Sequence, residues 1–193
     1  QYDCPGEGVF VCNEGNFMYG NASLSYYDPA SKTVYNQVFY NANNFPLGDV
    51  CQSMAIVDGK GFVVVNNSGK VYVIDLNTFK YLGAISGLTS PRYIQVISED
   101  KIYISDLYSP SMAVVDPRTY EITGRVYMGT TKGPGKVNGT EQMVRYGQYV
   151  YVCSWSYNDK VYKIDTETDK VVDSLSVTRQ PNSMSLDKNG KLW

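Results

Sequence analysis

Val71-Tyr72-Val73-Ile74-Asp75, followed by the polar turn Leu76-Asn77-Thr78, is an extended apolar segment that stops on an aspartate. The same phrase recurs as Ser25-Tyr26-Tyr27-Asp28-Pro29, Met112-Ala113-Val114-Val115-Asp116-Pro117 and Val161-Tyr162-Lys163-Ile164-Asp165. The aspartates Asp28, Asp75, Asp116 and Asp165 stand 47, 41 and 49 residues apart. A β-rich unit repeating at that interval is the signature of a propeller blade, because each four-stranded unit can bury its two faces only against its neighbours.

Around the phrase, each copy offers room for four strands. In the second copy they are Gln52 to Val57, Phe62 to Asn66, Val71 to Asp75 and Tyr81 to Ile85, separated by turns at Asp58-Gly59-Lys60-Gly61, Asn67-Ser68-Gly69-Lys70 and Asn77-Thr78-Phe79-Lys80. Gly and Asn supply the left-handed conformations that tight hairpins need. Strands such as Tyr149-Val150-Tyr151-Val152-Cys153 are apolar on both faces, as a sheet sandwiched between two others requires. The expected layout is blade 1 at about 9–39, blade 2 at about 51–86, blade 3 at about 91–127, blade 4 at about 140–176 and the start of blade 5 at about 181–193. The first unit lacks its innermost strand and the fifth breaks off inside its second. An all-β propeller is therefore expected, with about four and a half blades of a seven-bladed ring and about 120 further residues after Trp193.

Composition agrees with this fold and narrows the function. Tyr (18) and Gly (17) are abundant, which favours strands joined by tight turns. The formal charge is −2, from 17 basic and 19 acidic residues without a long run of either sign, so nucleic acid is not an expected partner. No apolar stretch reaches the roughly 20 residues that cross a bilayer. His is absent and the four Cys include no CxxC pair, so the usual zinc and haem sites and the Ser-His and Cys-His nucleophile systems are excluded. Cys12, Cys51 and Cys153 fall in or beside strands and read as buried free thiols. Cys4 can pair with one of them in an oxidising compartment, and the sequence leaves the partner open.

The repeated aspartates read as Asx-turn formers rather than as a ring of metal ligands, since Pro, Leu-Asn, Pro-Arg and Thr-Glu-Thr follow them. Gly129-Thr130-Thr131-Lys132-Gly133-Pro134-Gly135-Lys136 fails the phosphate-loop pattern, with Pro134 at the second Gly position, and reads as a long inter-blade loop. Sequons stand at Asn21, Asn66 and Asn138.

Irregular sequence is confined to the loops between blades and between the second and third strands, where propellers carry their sites. These loops supply Glu14, Phe17, Tyr19, Asn43, Asn44, Asn67, Arg92, Tyr108, Gln142, Trp155 and Tyr157 as candidate ligand-binding residues. Aromatic rings give flat contact area at low entropic cost and carboxamides both donate and accept. Such a surface suits a large polar ligand rich in amides or hydroxyls, with no catalytic residue, metal or cofactor of its own. Two other classes compete: a structural or adhesive surface-layer protein that binds protein or glycan, and a lactonase- or lyase-type enzyme with Glu14, Asp49, Asp106 and Asn158 around a divalent metal.

Asn13-Glu14-Gly15-Asn16-Phe17, Pro46-Leu47-Gly48-Asp49-Val50 leading into Gln52-Ser53-Met54, Ser90-Pro91-Arg92-Tyr93 and Thr140-Glu141-Gln142-Met143-Val144 are words of a particular family. They resemble the YncE-like seven-bladed β-propellers of Bacteroidetes, and in particular the BtuG family of cobalamin-binding surface lipoproteins. The resemblance implies an exported protein at the cell surface of the outer membrane, held there only by a lipid anchor since removed. It further implies capture of cobalamin or another corrinoid and delivery to a BtuB-type TonB-dependent transporter. With no His, a corrinoid would be held by shape, stacking and amide hydrogen bonds.

Overall fold

The computed structural model describes residues 7–129 and 137–193. The chain forms two compact units, residues 1–87 and 88–193. In the first, β1 (Val9–Asn13), β2 (Ser23–Asp28) and β3 (Thr33–Tyr35) make a three-stranded antiparallel meander. A single helical turn, α1 (Val38–Asn43), leads on to a four-stranded meander of β4 (Cys51–Val57), β5 (Lys60–Val65), β6 (Lys70–Asp75) and β7 (Tyr81–Ile85). Leu24 and Tyr26 of the first sheet pack with Val63, Val65 and Ile74 of the second in one core.

The second unit repeats the plan twice. One sheet consists of β8 (Pro91–Ser98), β9 (Lys101–Asp106), β10 (Ser111–Asp116) and β11 (Glu121–Tyr127). The other consists of β12 (Met143–Tyr146), β13 (Tyr149–Ser154), β14 (Lys160–Asp165) and β15 (Lys170–Ser176). Tyr103, Met112, Val114 and Val126 from one pack with Val150, Val152 and Ile164 from the other. The middle strands are buried on both faces, which is why their sequences are apolar without alternation. Beyond β15, Ser185 and Trp193 exchange two backbone hydrogen bonds and Leu186 bridges Leu192, opening a further hairpin. Four antiparallel sheets of three or four strands make the chain all-β, as the repeat predicts.

The aspartate phrase closes the hairpin between the last two strands of each sheet, β2–β3, β6–β7, β10–β11 and β14–β15. The Asp28 carboxylate accepts from Ala30 N, Asp75 from Asn77 N and Thr78 N, Asp116 from Arg118 N, and Asp165 from Glu167 N. These are Asx turns. In every copy the residue four places on is left-handed: Lys32 (φ 54°), Phe79 (58°), Tyr120 (64°) and Asp169 (54°). That conformation was expected of Asn77 in the second copy, yet it falls on Phe79, whose ring is fully buried between Phe10 and Tyr26. Core packing and the hydrogen bond from Phe79 N to Asp75 O hold a bulky side chain where it would otherwise be strained.

The helical turn α1 is not foreseen by the repeat. Left-handed Gln37 and Asn44 bound it, and Phe39 and Phe45 fasten it to Tyr72 and Tyr81 at ring separations of 5.3–6.2 Å. Cys4 and the stretch Thr130–Lys136, read as part of a long inter-blade loop, lie outside the described residues.

Candidate functional site

Each unit has two unlike ends. One carries the Asx turns and the short hairpins; the other carries the irregular loops, and the candidate residues apart from Asn43 and Asn44 lie toward it. In the first unit the loop after β1, the link before β4 and the loop after β5 converge on Asp49, which is 8% exposed. Its Oδ2 accepts from Met18 N at 2.8 Å and from Asn67 Nδ2 at 2.6 Å, while its own N–H donates to Ser68 Oγ at 3.0 Å. Backbone bonds from Ala22 N to Gly48 O and from Asn67 N to Asp49 O complete the junction. Gly48, at φ 123°, is needed there, because a Cβ would stand 2.5 Å from Ser68 Oγ. Asp49 Oδ1 is buried and has no partner among the described residues.

The exposed rings stand on this scaffold. Phe17 is 64% exposed and Tyr19 78%, on either side of the Met18 N–H that Asp49 fixes. Asn16 N donates to Asn21 Oδ1 and Tyr19 N to Asn16 O, so the loop is internally braced. Glu14 is exposed beside it. A cavity of about 250 Å³ opens at the same end, walled by Leu24, Gln37, Phe39, Tyr40, Pro46 and Leu47. Sequence reasoning missed Gln37 and Tyr40 because the cavity depends on α1.

Asn43 and Asn44 are placed differently from the expectation. The Asn43 carboxamide donates to Phe39 O and Phe79 O and accepts from Tyr81 N, so it is spent on joining α1 to the β6–β7 hairpin. Asn44 is the left-handed residue that ends α1.

In the second unit Asp106, 1% exposed, plays the corresponding part. Its carboxylate accepts from Thr89 N, Ser90 N and Tyr108 N at 2.8, 2.9 and 3.2 Å. Thr140 seals the other side, donating its N–H to Asp106 O while its Oγ1 accepts from Asp106 N. Gly139 passes so close that a Cβ there would meet Leu107 O at 1.9 Å. Tyr108, on this junction, is 61% exposed.

Beside it, Arg92 Nε donates to Glu141 Oε2 at 3.0 Å; Glu141 is 2% exposed. Burial pushes the Glu141 carboxyl above its ordinary range, and the Arg92 hydrogen bond and charge pull it part of the way back. Burial and the nearby Glu141 likewise push the Cys153 thiol up to about 11. Gln142 takes part through its backbone, its O accepting from Cys153 N. Trp155 is half-buried and Tyr157 is 64% exposed in a left-handed conformation. Tyr157 also borders a polar pocket of about 320 Å³ with Asn158, Asp159, Val177 and Arg179.

Two of the residues tried as metal ligands, Asp106 and Asn158, are otherwise engaged. The Asp106 carboxylate is spent on three N–H groups, and the Asn158 amide donates to Asn138 Oδ1, Ser154 Oγ and Tyr162 OH. No cluster of three or more His, Cys, Asp or Glu that could hold a metal occurs among the described residues.

A family model described as a domain of unknown function, DUF5074, matches residues 7–193. The chain belongs to the DUF5074 family. No curated protein matches it. Among solved structures, this DUF5074 chain is similar to the β-propeller domain of Cps50 (Swd1) from Myceliophteria thermophila, with 12% identity, TM-score 0.69, and coverage of 100% of this chain and 59% of that one. It is also similar to the WD40 β-propeller domain of Doa1, with 12% identity, TM-score 0.68, and coverage of 100% and 58%. Hydrazine synthase of Kuenenia stuttgartiensis aligns with 16% identity and TM-score 0.68, over 88% of this chain and 47% of that one. The chain thus spans about half the length of the structures it matches. At these identities the likeness establishes the fold, a β-propeller.

Proposed function

We propose that this DUF5074 chain is a non-enzymatic binding module whose loop ends take a large, flat, polar ligand, and that the ligand is a corrinoid. The observation that carries the reading is common to both units: exposed rings stand on loops pinned by a buried carboxylate, Phe17 and Tyr19 through Asp49, and Tyr108 through Asp106. Holding rings rigidly in water lowers the ordering cost of binding, the main expense for a broad ligand held by stacking. β-Propellers serve widely as ligand-binding or protein-interaction modules, in keeping with this role. The commitment of Asp106 and Asn158 to the fold favours binding over metal-dependent catalysis.

The words shared with BtuG-type propellers supply the finer reading: display at the cell surface on a lipid anchor, and transfer of cobalamin to a TonB-dependent transporter. Calorimetric and absorbance titration with cyanocobalamin tests it. Saturable binding that weakens at least tenfold in Tyr108→Ala or Phe17→Ala is expected. Absence of binding by the full-length protein refutes the corrinoid. Retention on cell-surface glycan or protein without small-molecule binding would favour an adhesive role instead.

A further inference from the structure

Cys12 and Cys51 were expected to be two unrelated buried thiols, yet the fold brings them together. Cys12 lies on β1 and Cys51 opens β4, two strands from different sheets that pack against each other. Cys51 is completely buried in the core of the first unit and half-buried Cys12 packs against the same cluster. Each thiol perturbs the other: the neighbouring Cys51 lowers the Cys12 thiol, while Cys12 and burial push that of Cys51 up. The pair is unequal in access, Cys12 being half-buried and Cys51 buried, so an external disulfide reaches Cys12 first and Cys51 resolves.

We infer that Cys12 and Cys51 form a disulfide joining the first two sheets when the protein meets a thiol-oxidising compartment. The oxidant is a small disulfide or the disulfide of an oxidoreductase. The Cys12 thiolate attacks one of its sulfurs, a mixed disulfide forms, and the other half leaves as a thiolate. Cys51 then gives up its proton to solvent and attacks the Cys12 sulfur, expelling the second half. Two protein thiols are oxidised and one external disulfide is reduced to two thiols. Cys153 is completely buried and does not belong to the core cluster that holds Cys12 and Cys51.

The bridge would close a loop of about 40 residues and, by constraining the unfolded chain, reduce the unfolding equilibrium constant on the order of several-hundredfold. The test treats the native chain with oxidised glutathione, blocks remaining thiols with N-ethylmaleimide and maps the peptides by mass spectrometry. A Cys12–Cys51 linked peptide is expected, with Cys153 unbridged, and Cys51→Ser should trap glutathione on Cys12. The inference is overturned if Cys12 and Cys51 both stay free, if either pairs with Cys4, or if the bridged protein resists urea no better than the reduced one.

Discussion

Arg92→Leu should produce a loss of stability that grows with pH. Glu141 is 2% exposed and its partner guanidinium stands 3.0 Å away. Removing one member of a buried pair costs about 3–5 kcal/mol, because the other charge is left desolvated. Arg92 is 20% exposed, and solvent at that opening reduces the expected loss to about 2–3 kcal/mol at neutral pH. The folded-state pKa of Glu141 is already raised by burial, and without Arg92 it rises further. A carboxyl whose folded pKa exceeds its unfolded value contributes stability that is complete below the unfolded value, about pH 4, and disappears as pH climbs through the folded one. The gap between wild type and variant should therefore be smallest near pH 4 and widest above the variant's folded pKa. Urea unfolding of wild type, Arg92→Leu, Glu141→Gln and the double variant between about pH 4 and pH 8 measures it. The double variant separates the pair from the other contacts of Arg92. A gap independent of pH, or one widest in acid, would refute the reasoning.

Gly139→Ala should cost about 3 kcal/mol in urea unfolding, the upper part of the overpacking range, since the obstruction at 1.9 Å is the backbone carbonyl of Leu107, which no rotamer change can move. Asp75→Ala should lower stability by about 1 kcal/mol through loss of the Asx turn, and Asp75→Asn should recover most of it. The turn donors hold the Asp75 carboxyl below its ordinary value, so the Ala penalty should persist above the unfolded pKa and fade as pH falls through that lowered one, as thermal melts will show. Cys153, with its thiol at about 11, should react with iodoacetamide at pH 8 far more slowly than an unfolded-chain cysteine, by timed alkylation and peptide mapping.

The blades were legible because their information is local and repeated. A strand apolar on both faces, an aspartate and a polar turn recur four times, and the chemistry of the turn is written in the residues themselves: Asp75 can reach Asn77 N and Thr78 N whatever lies elsewhere. What escaped sequence reading was set by tertiary packing. The residue type does not mark Phe79 as left-handed: the turn puts that conformation four places after each aspartate, on Lys32, Tyr120 and Asp169 as well, and tertiary packing decides only where the ring goes, between Phe10 and Tyr26. Nor does Val38–Asn43 have the length of a stable helix, and it depends on Phe39, Phe45, Tyr72 and Tyr81 for its place.

The loop ends divide along the same line. Exposed Phe17, Tyr19, Tyr108 and Tyr157 could be found from sequence, because rings in polar, Gly- and Asn-rich loops have little core to enter. Carboxamides could not be sorted that way, since Asn43, Asn67 and Asn158 look alike in sequence. Asn43 and Asn158 are consumed by backbone and side-chain partners brought from 36 and 20 residues away, whereas Asn67 is exposed and spends an N–H on Asp49. The acidic residues invert the ordinary expectation. Asp49 and Asp106 could be tried from sequence as metal ligands of an enzyme, but a buried carboxylate that accepts from N–H donors is a clamp on loop geometry. The proposed binding role would therefore draw on two classes of residue with opposite exposure: buried carboxylates that fix the loops, and rings in water that those loops present. Replacing a ring should change affinity with little effect on stability, whereas replacing its clamp should change both.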